Sequence, residues 1–209
     1  MELKIESHSV GVGESNGDYL LHKAMPNGVT LLLLADGMSG LSSPEIASRV
    51  VCHAIADYMD TANVPDRIAL ICRAISYADQ RLAKVCKECK CKMGVAFTLL
   101  YFCEDRLLYA SLGDVRLYHK NREGEIAQLS EDHVIVQGEE TFLTACVSGR
   151  GFRIPLRVKE LPLHIGDAFL LCSDGYYQCQ DIYHCFPPNR LPAPLWIKDD
   201  SSVVRIEVF

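Results

Sequence analysis

The chain has 209 residues, 49% of them hydrophobic and 23% charged, with a formal net charge of −6. Such a composition is that of an ordinary soluble globular protein, and the length suits one domain with a sizeable core. No basic stripe accompanies the negative balance, which argues against a nucleic-acid partner.

Leu3 to Val10 alternates polar and apolar and predicts a strand, followed by a glycine-rich turn from Gly11 to Gly17. Tyr19 to His22 predicts a second strand. A turn at Pro26-Asn27-Gly28 leads into the apolar run that ends at Asp36. That stretch, Gly28 to Ala35, is too short to span a bilayer, as is every other uncharged apolar run; no membrane segment is expected. The N-terminus has no signal-peptide core. Ser43-Pro44 opens a helix, with Pro at the first helical position. A second helix opens near Pro65, its buried face marked by Ile68, Ile71, Cys72, Ile75, Ala78, Leu82 and Val85.

Strands then return over Val95 to Phe102, Leu107 to Leu112 and Val115 to His119, with a hairpin turn at Asn121 to Gly124 leading to Ile126 to Leu129. Residues 130–155 are irregular and glycine-bearing and predict a mobile loop. Further strands follow at Leu156 to Leu161, Ala168 to Cys172 and Val203 to Val208. The proline-rich stretch 181–198, with the only Trp, predicts loop. Strands, two helices, then many strands indicate an α+β domain over 1–209.

Ten cysteines are scattered, mostly within apolar patterns, where a free thiol behaves as a small hydrophobe. They suggest a reducing, cytoplasmic setting rather than a disulfide scaffold. Cys86-Lys87-Glu88-Cys89-Lys90-Cys91 is the exception. No partner pair with zinc-ligand spacing follows it, so a helix end passing into a basic turn is the better reading.

Two apolar runs end in Asp-Gly: one at Asp36-Gly37, the other at Asp174-Gly175. A third acidic pair, Asp199-Asp200, stands just before the last strand. Each run reads as a buried strand, so each tip carries a carboxylate where core gives way to solvent. Singly, Asp-Gly after an apolar run is a turn signal. Together, three such aspartates suggest a shared cation, because a carboxylate at such a place is costly unless something positive meets it. Oxygen-only ligands select hard cations such as magnesium or manganese. A two-metal site activates water for attack on phosphorus and needs one bridging carboxylate. Asp36 suits that role, with Gly37 leaving its carbonyl approachable, and Asp174 and Asp199 complete the first ion.

At this point the chain resembles the metal-dependent protein phosphatase superfamily of protein phosphatase 2C type. The motifs occur in family order: Asn16-Gly17-Asp18, Asp36-Gly37-Met38-Ser39-Gly40, Met93 to Thr98, Gly113-Asp114-Val115-Arg116, Leu129 to His133, Gly166 to Gly175, and Asp199-Asp200. The resemblance implies a central antiparallel β-sandwich flanked by helices, in α-β-β-α layers, with metals in a cleft at one end. It implies a metal-dependent serine/threonine phosphatase that uses two Mn2+ or Mg2+ ions. Asp36, Asp174 and Asp199 resemble the catalytic metal ligands, and Gly37 the carbonyl ligand. Asp114 resembles the aspartate that helps hold a weaker third ion in bacterial members. Arg116 would brace the core beneath the site, and His133 would be a proton donor or a structural loop residue. The implied partner is a phosphorylated protein, a kinase-linked signalling or stress regulator.

Two departures bear on activity. Gly17 stands where many members have a glutamate ligand for the second ion, and Gly13 where many have a phosphate-gripping arginine. They motivate an alternative, a pseudophosphatase that binds phosphoproteins without turnover. Gly17-Asp18 and Asp199-Asp200 also resemble the bacterial stage II sporulation protein E branch, in which Asp18 would supply the missing carboxylate.

Overall fold

The computed structural model describes every residue except 139 and 195–197, and only the backbone of 27 and 140. Two five-stranded antiparallel sheets stack face to face. One runs β10 (Lys159–Pro162), β5 (Arg106–Leu112), β4 (Val95–Cys103), β3 (Val29–Gly37), β2 (Asp18–Met25). The other runs β1 (Leu3–Val10), β12 (Ser201–Val208), β11 (Ala168–Cys172), β6 (Arg116–Lys120), β7 (Ile126–Gln128).

The continuous apolar runs of β3 and β4 have a plain cause, since both faces of these strands are buried. Leu31, Leu33 and Ala35 face the helices, whereas Leu32 and Leu34 meet Phe169, Leu171, Val204 and Ile206 of the second sheet. Strands covered on both sides lose the alternating pattern. The helices α1 (Pro44–Thr61) and α2 (Arg67–Cys89) lay Val51, Ile55, Ile71, Ile75 and Leu82 on the first sheet. Asp66 caps α2 by accepting the N–H of Ala69 at 2.7 Å, whereas Ser43, left-handed at φ 48°, makes no side-chain cap on α1. The Cys86 to Cys91 segment is the end of α2 and its turn, with Lys90 in the left-handed conformation and the Cys91 N–H bonded to the Cys86 carbonyl at 3.0 Å.

The second helical layer is reduced. Ala168, Leu170, Cys172 and Val203 on the outer face of the second sheet are covered by Tyr176, Cys185, Phe186 and Leu191. These come from the one-turn helix α3 (Asp174–Tyr177), a 3-10 turn at Ile182–Cys185 and loop. Buried Arg205 ties this cover down: its guanidinium donates to the carbonyls of Cys185 (3.2 Å) and Asn189 (2.6 Å) and to Glu6 (2.7 Å). Trp196 of the predicted 181–198 loop lies outside the described residues.

The expected mobile loop over 130–155 is corrected. It holds a hairpin of β8 (Val134–Gln137) and β9 (Glu140–Leu143), reversing at Gly138, whose φ is +67°. Asp79 of α2 then pins the next stretch, its carboxylate accepting the N–H groups of Ser148 (3.2 Å), Gly149 (2.7 Å) and Gly151 (2.8 Å).

Candidate functional site

At one end of the sandwich, β2 and β3 place Asp18 directly across from Asp36 in register. Asp174 follows β11, and Asp199 precedes β12, the neighbour of β11. Asp114 lies in the turn where the chain crosses from β5 in one sheet to β6 in the other. A hydrogen bond from the Ser173 hydroxyl to Asp18 Oδ2 at 2.7 Å ties the two sheets together here. The Ser173 oxygen in turn accepts the N–H of Ser202 at 2.9 Å.

The aspartates are close enough to disturb one another. Burial, and then the charges of Asp18, Asp174, Asp114 and Asp199, push the Asp36 carboxyl well above its ordinary range. Burial raises Asp18 to about 7, opposed by the hydroxyls of Ser173 and Ser202 and assisted by Asp200 and Asp174. Asp114 rises to about 6 through burial and Asp174. Asp174 rises through burial and Asp199. Burial is the larger cause at each of these carboxyls, and repulsion from the neighbouring carboxylates adds to it.

The donor set suits a hard divalent cation. It is oxygen-only, and buried Asp18 Oδ1 has no hydrogen-bond partner. Among the described residues no group of three His, Cys, Asp or Glu is arranged to hold a metal ion as it stands. Ligation therefore requires the side chains to close up around the ion.

Gly37 is required by packing. A Cβ there would sit 2.2 Å from the Pro44 carbonyl oxygen, so α1 begins hard against the end of β3. At Gly17 a Cβ would meet Asp200 Oδ2 at 3.0 Å, Pro44 Cβ at 3.1 Å and the Gly37 carbonyl oxygen at 3.2 Å. A glutamate there would crowd the Asp200 carboxylate, the Pro44 ring and the Gly37 carbonyl. Asp200 accepts the N–H groups of Val12 (2.7 Å) and Gly17 (2.6 Å), which fastens the β1–β2 turn to the start of β12. Sequence reading had paired Asp200 with Asp199 without assigning it work; the acidic doublet was its only signal.

Arg116 braces the site from below. Its Nε and Nη2 grip Asp132 at 3.0 and 2.7 Å, and its guanidinium lies 3.7 Å over the Tyr177 ring. His133 fixes the turn beside Asp114. Its Nδ1 accepts the Gly113 N–H at 3.2 Å, and its own N–H reaches the Gly113 carbonyl at 2.9 Å. That is a structural role.

The family model described as "Protein phosphatase 2C" matches residues 6–196. The serine/threonine protein phosphatase PstP of Mycobacterium tuberculosis is 30% identical over 166 residues, which cover 71% of this chain and 32% of that one. The chain thus matches about a third of the length of this curated relative (32%). A crystal structure of M. tuberculosis PstP/Ppp superposes with a TM-score of 0.80 at 23% identity, covering 99% of this chain and 98% of that one. The PstP catalytic domain in complex with two manganese ions gives 0.77 at 24%, covering 99% of each chain. Staphylococcus aureus Stp1 gives 0.82 at 19%, covering 100% of this chain and 96% of that one. At these identities the structural likeness speaks for the fold.

Proposed function

The chain belongs to the protein phosphatase 2C family, and from that premise we propose that it is a metal-dependent serine/threonine protein phosphatase. The observation that carries the reading is the meeting of Asp18, Asp36, Asp114, Asp174 and Asp199 at one end of the sandwich, each brought by a different strand end or turn. In this reading residues 1–209 act as one catalytic domain, and the ions are manganese or magnesium.

Asp36, Asp174 and Asp199 would hold the first ion. Asp36, Asp18 and the Gly37 carbonyl would hold the second, and Asp114 with Asp174 a weaker third. Such ions supply a nucleophilic water at neutral pH and neutralise charge on the phosphoryl oxygens. The protein's own part is placement. The β2–β3 register fixes Asp18 against Asp36, the Ser173 hydroxyl holds Asp18 Oδ2, and Asp200 fastens the turn that precedes Asp18. The raised carboxyls would have to give up their protons to hold a cation, so metal affinity should strengthen as pH rises through 6 to 7.

The substrate class is a phosphoserine- or phosphothreonine-bearing protein, a regulator opposed by a kinase. A cytoplasmic setting is supported by the free buried thiols of Cys52, Cys103, Cys172 and Cys185. Among the described residues no helix is long and apolar enough to cross a membrane. The pseudophosphatase alternative is not favoured, because the acidic cluster is kept and Asp18 stands across from Asp36. The test is manganese-dependent hydrolysis of an aryl phosphate. Wild type should turn over, and Asp36→Asn should lose more in kcat/KM than the roughly 10- to 100-fold that loss of a group supporting a ligand costs. Retention of most activity in the variant would refute the assignment.

A further inference from the structure

A groove of about 530 Å³ begins one residue beyond the site, where Met38 and Leu41 of the loop after Gly37 form part of its lining. Lys92, Arg150 and Arg153 also line it, and no Asp or Glu does. All three basic residues are exposed, and none joins an ion pair among the described residues. The charged lining is wholly basic in a chain of net charge −6, and the nearby Asp79 carboxylate is already engaged by three backbone N–H groups, which favours an anionic occupant.

The arginines stand on a fixed rail. The Asp79 carboxylate holds the N–H groups of Ser148, Gly149 and Gly151. Gly149 lies flush on α2, since a Cβ there would come within 2.6 Å of Ala83 Cα. Val147 and Val95 exchange hydrogen bonds at 3.0 and 2.9 Å, and Val95 is the register partner of Gly37. The rail is therefore bonded to the strand beside the carbonyl proposed as a metal ligand. Preorganised charges bind with less ordering cost than charges on a loose loop.

We propose that this groove takes an acidic segment of the substrate protein, the residues flanking the phosphorylated side chain. The proposal rests on the phosphatase reading and adds a specificity to it. An extended chain advances about 3.3 Å per residue, so acidic residues within a few positions of the phosphoamino acid would reach the groove. Lys92, Arg150 and Arg153 would then pair with carboxylates of that flanking segment.

The test uses manganese-loaded chain and phosphoserine peptides of equal length whose flanking residues, on either side, are acidic, neutral or basic. The acidic series should be preferred in kcat/KM by about tenfold over the neutral one, the sum expected of two or three exposed ion pairs. The preference should shrink as salt rises. In the double variant Arg150→Ser, Arg153→Ser the ratio of acidic to neutral peptide should fall toward one, chiefly through KM. Anisotropy of a labelled, unphosphorylated acidic peptide on metal-free chain gives a second readout, with binding by wild type and loss in the variant expected. Equal rates for the acidic and neutral peptides, or a preference that survives the double substitution or high salt, would overturn the groove assignment. Failure to hydrolyse any peptide would count against the phosphatase reading instead, and the anisotropy result would still decide the groove.

Discussion

Asp18 shows most plainly what burial does to the electrostatics of the site. Burial lifts its pKa from 3.8 to about 7, so the folded chain keeps a proton that the unfolded chain has lost. Its contribution to stability is therefore full below pH 4 and falls as pH rises toward 7. With metal chelated, Asp18→Asn should come closest to wild type at pH 4 or below, and its advantage should grow from pH 5 to pH 8. The gap in melting temperature should widen by at least about 5 °C, at roughly 2–4 °C per kcal/mol for a chain of this size. A gap that does not change with pH would contradict the raised pKa. Asp36, Asp174 and Asp199 were legible in the sequence because apolar runs pointed at them. Asp200 was not, because its work is to accept two backbone N–H groups across 183 and 188 residues. No local pattern records such a contact.

At the scale of elements, the tight approach of α1 to β3 can be tested at Gly37. The Cβ of Gly37→Ala would overlap the Pro44 carbonyl, so the start of α1 must shift. Overpacking of this kind costs about 1–3 kcal/mol. Chemical denaturation should show that loss, and calorimetry should show weaker manganese binding. A variant as stable as wild type would mean that α1 yields freely. The second sheet has its own tie in Arg205. Arg205→Met would leave Glu6 and two carbonyls without their donor, at a cost of about 3 kcal/mol read from urea unfolding. An unchanged midpoint would show that α3 and the following loop hold without it. The strands and both long helices were legible from periodicity and from Pro44. The β8–β9 hairpin was missed although Val134-Ile135-Val136 is a β-branched run ahead of Gly138. Its short strands lie apart from the main sheets, where burial gives a weak pattern.

At the scale of the molecule, the two sheets bring together carboxylates separated by most of the chain. Ser173 and Asp18, 155 residues apart, share the hydrogen bond that closes the seam. The order of the motifs made the family legible, and the order of strands and helices made the fold class legible. The position of the basic groove was not, since Lys92 and Arg150 meet only after the 145–153 loop docks on α2. With ions held at this end of the sandwich, manganese should stabilise the whole chain by mass action, by about 2.7 kcal/mol at a hundred times Kd. The direct measurement is anomalous diffraction at the manganese edge from crystals soaked in manganese. The account predicts two strong peaks in the cleft, with Asp36 between them, Asp174 and Asp199 at one, and Asp18 with the Gly37 carbonyl at the other. Peaks elsewhere, or none within reach of Asp36, would contradict it.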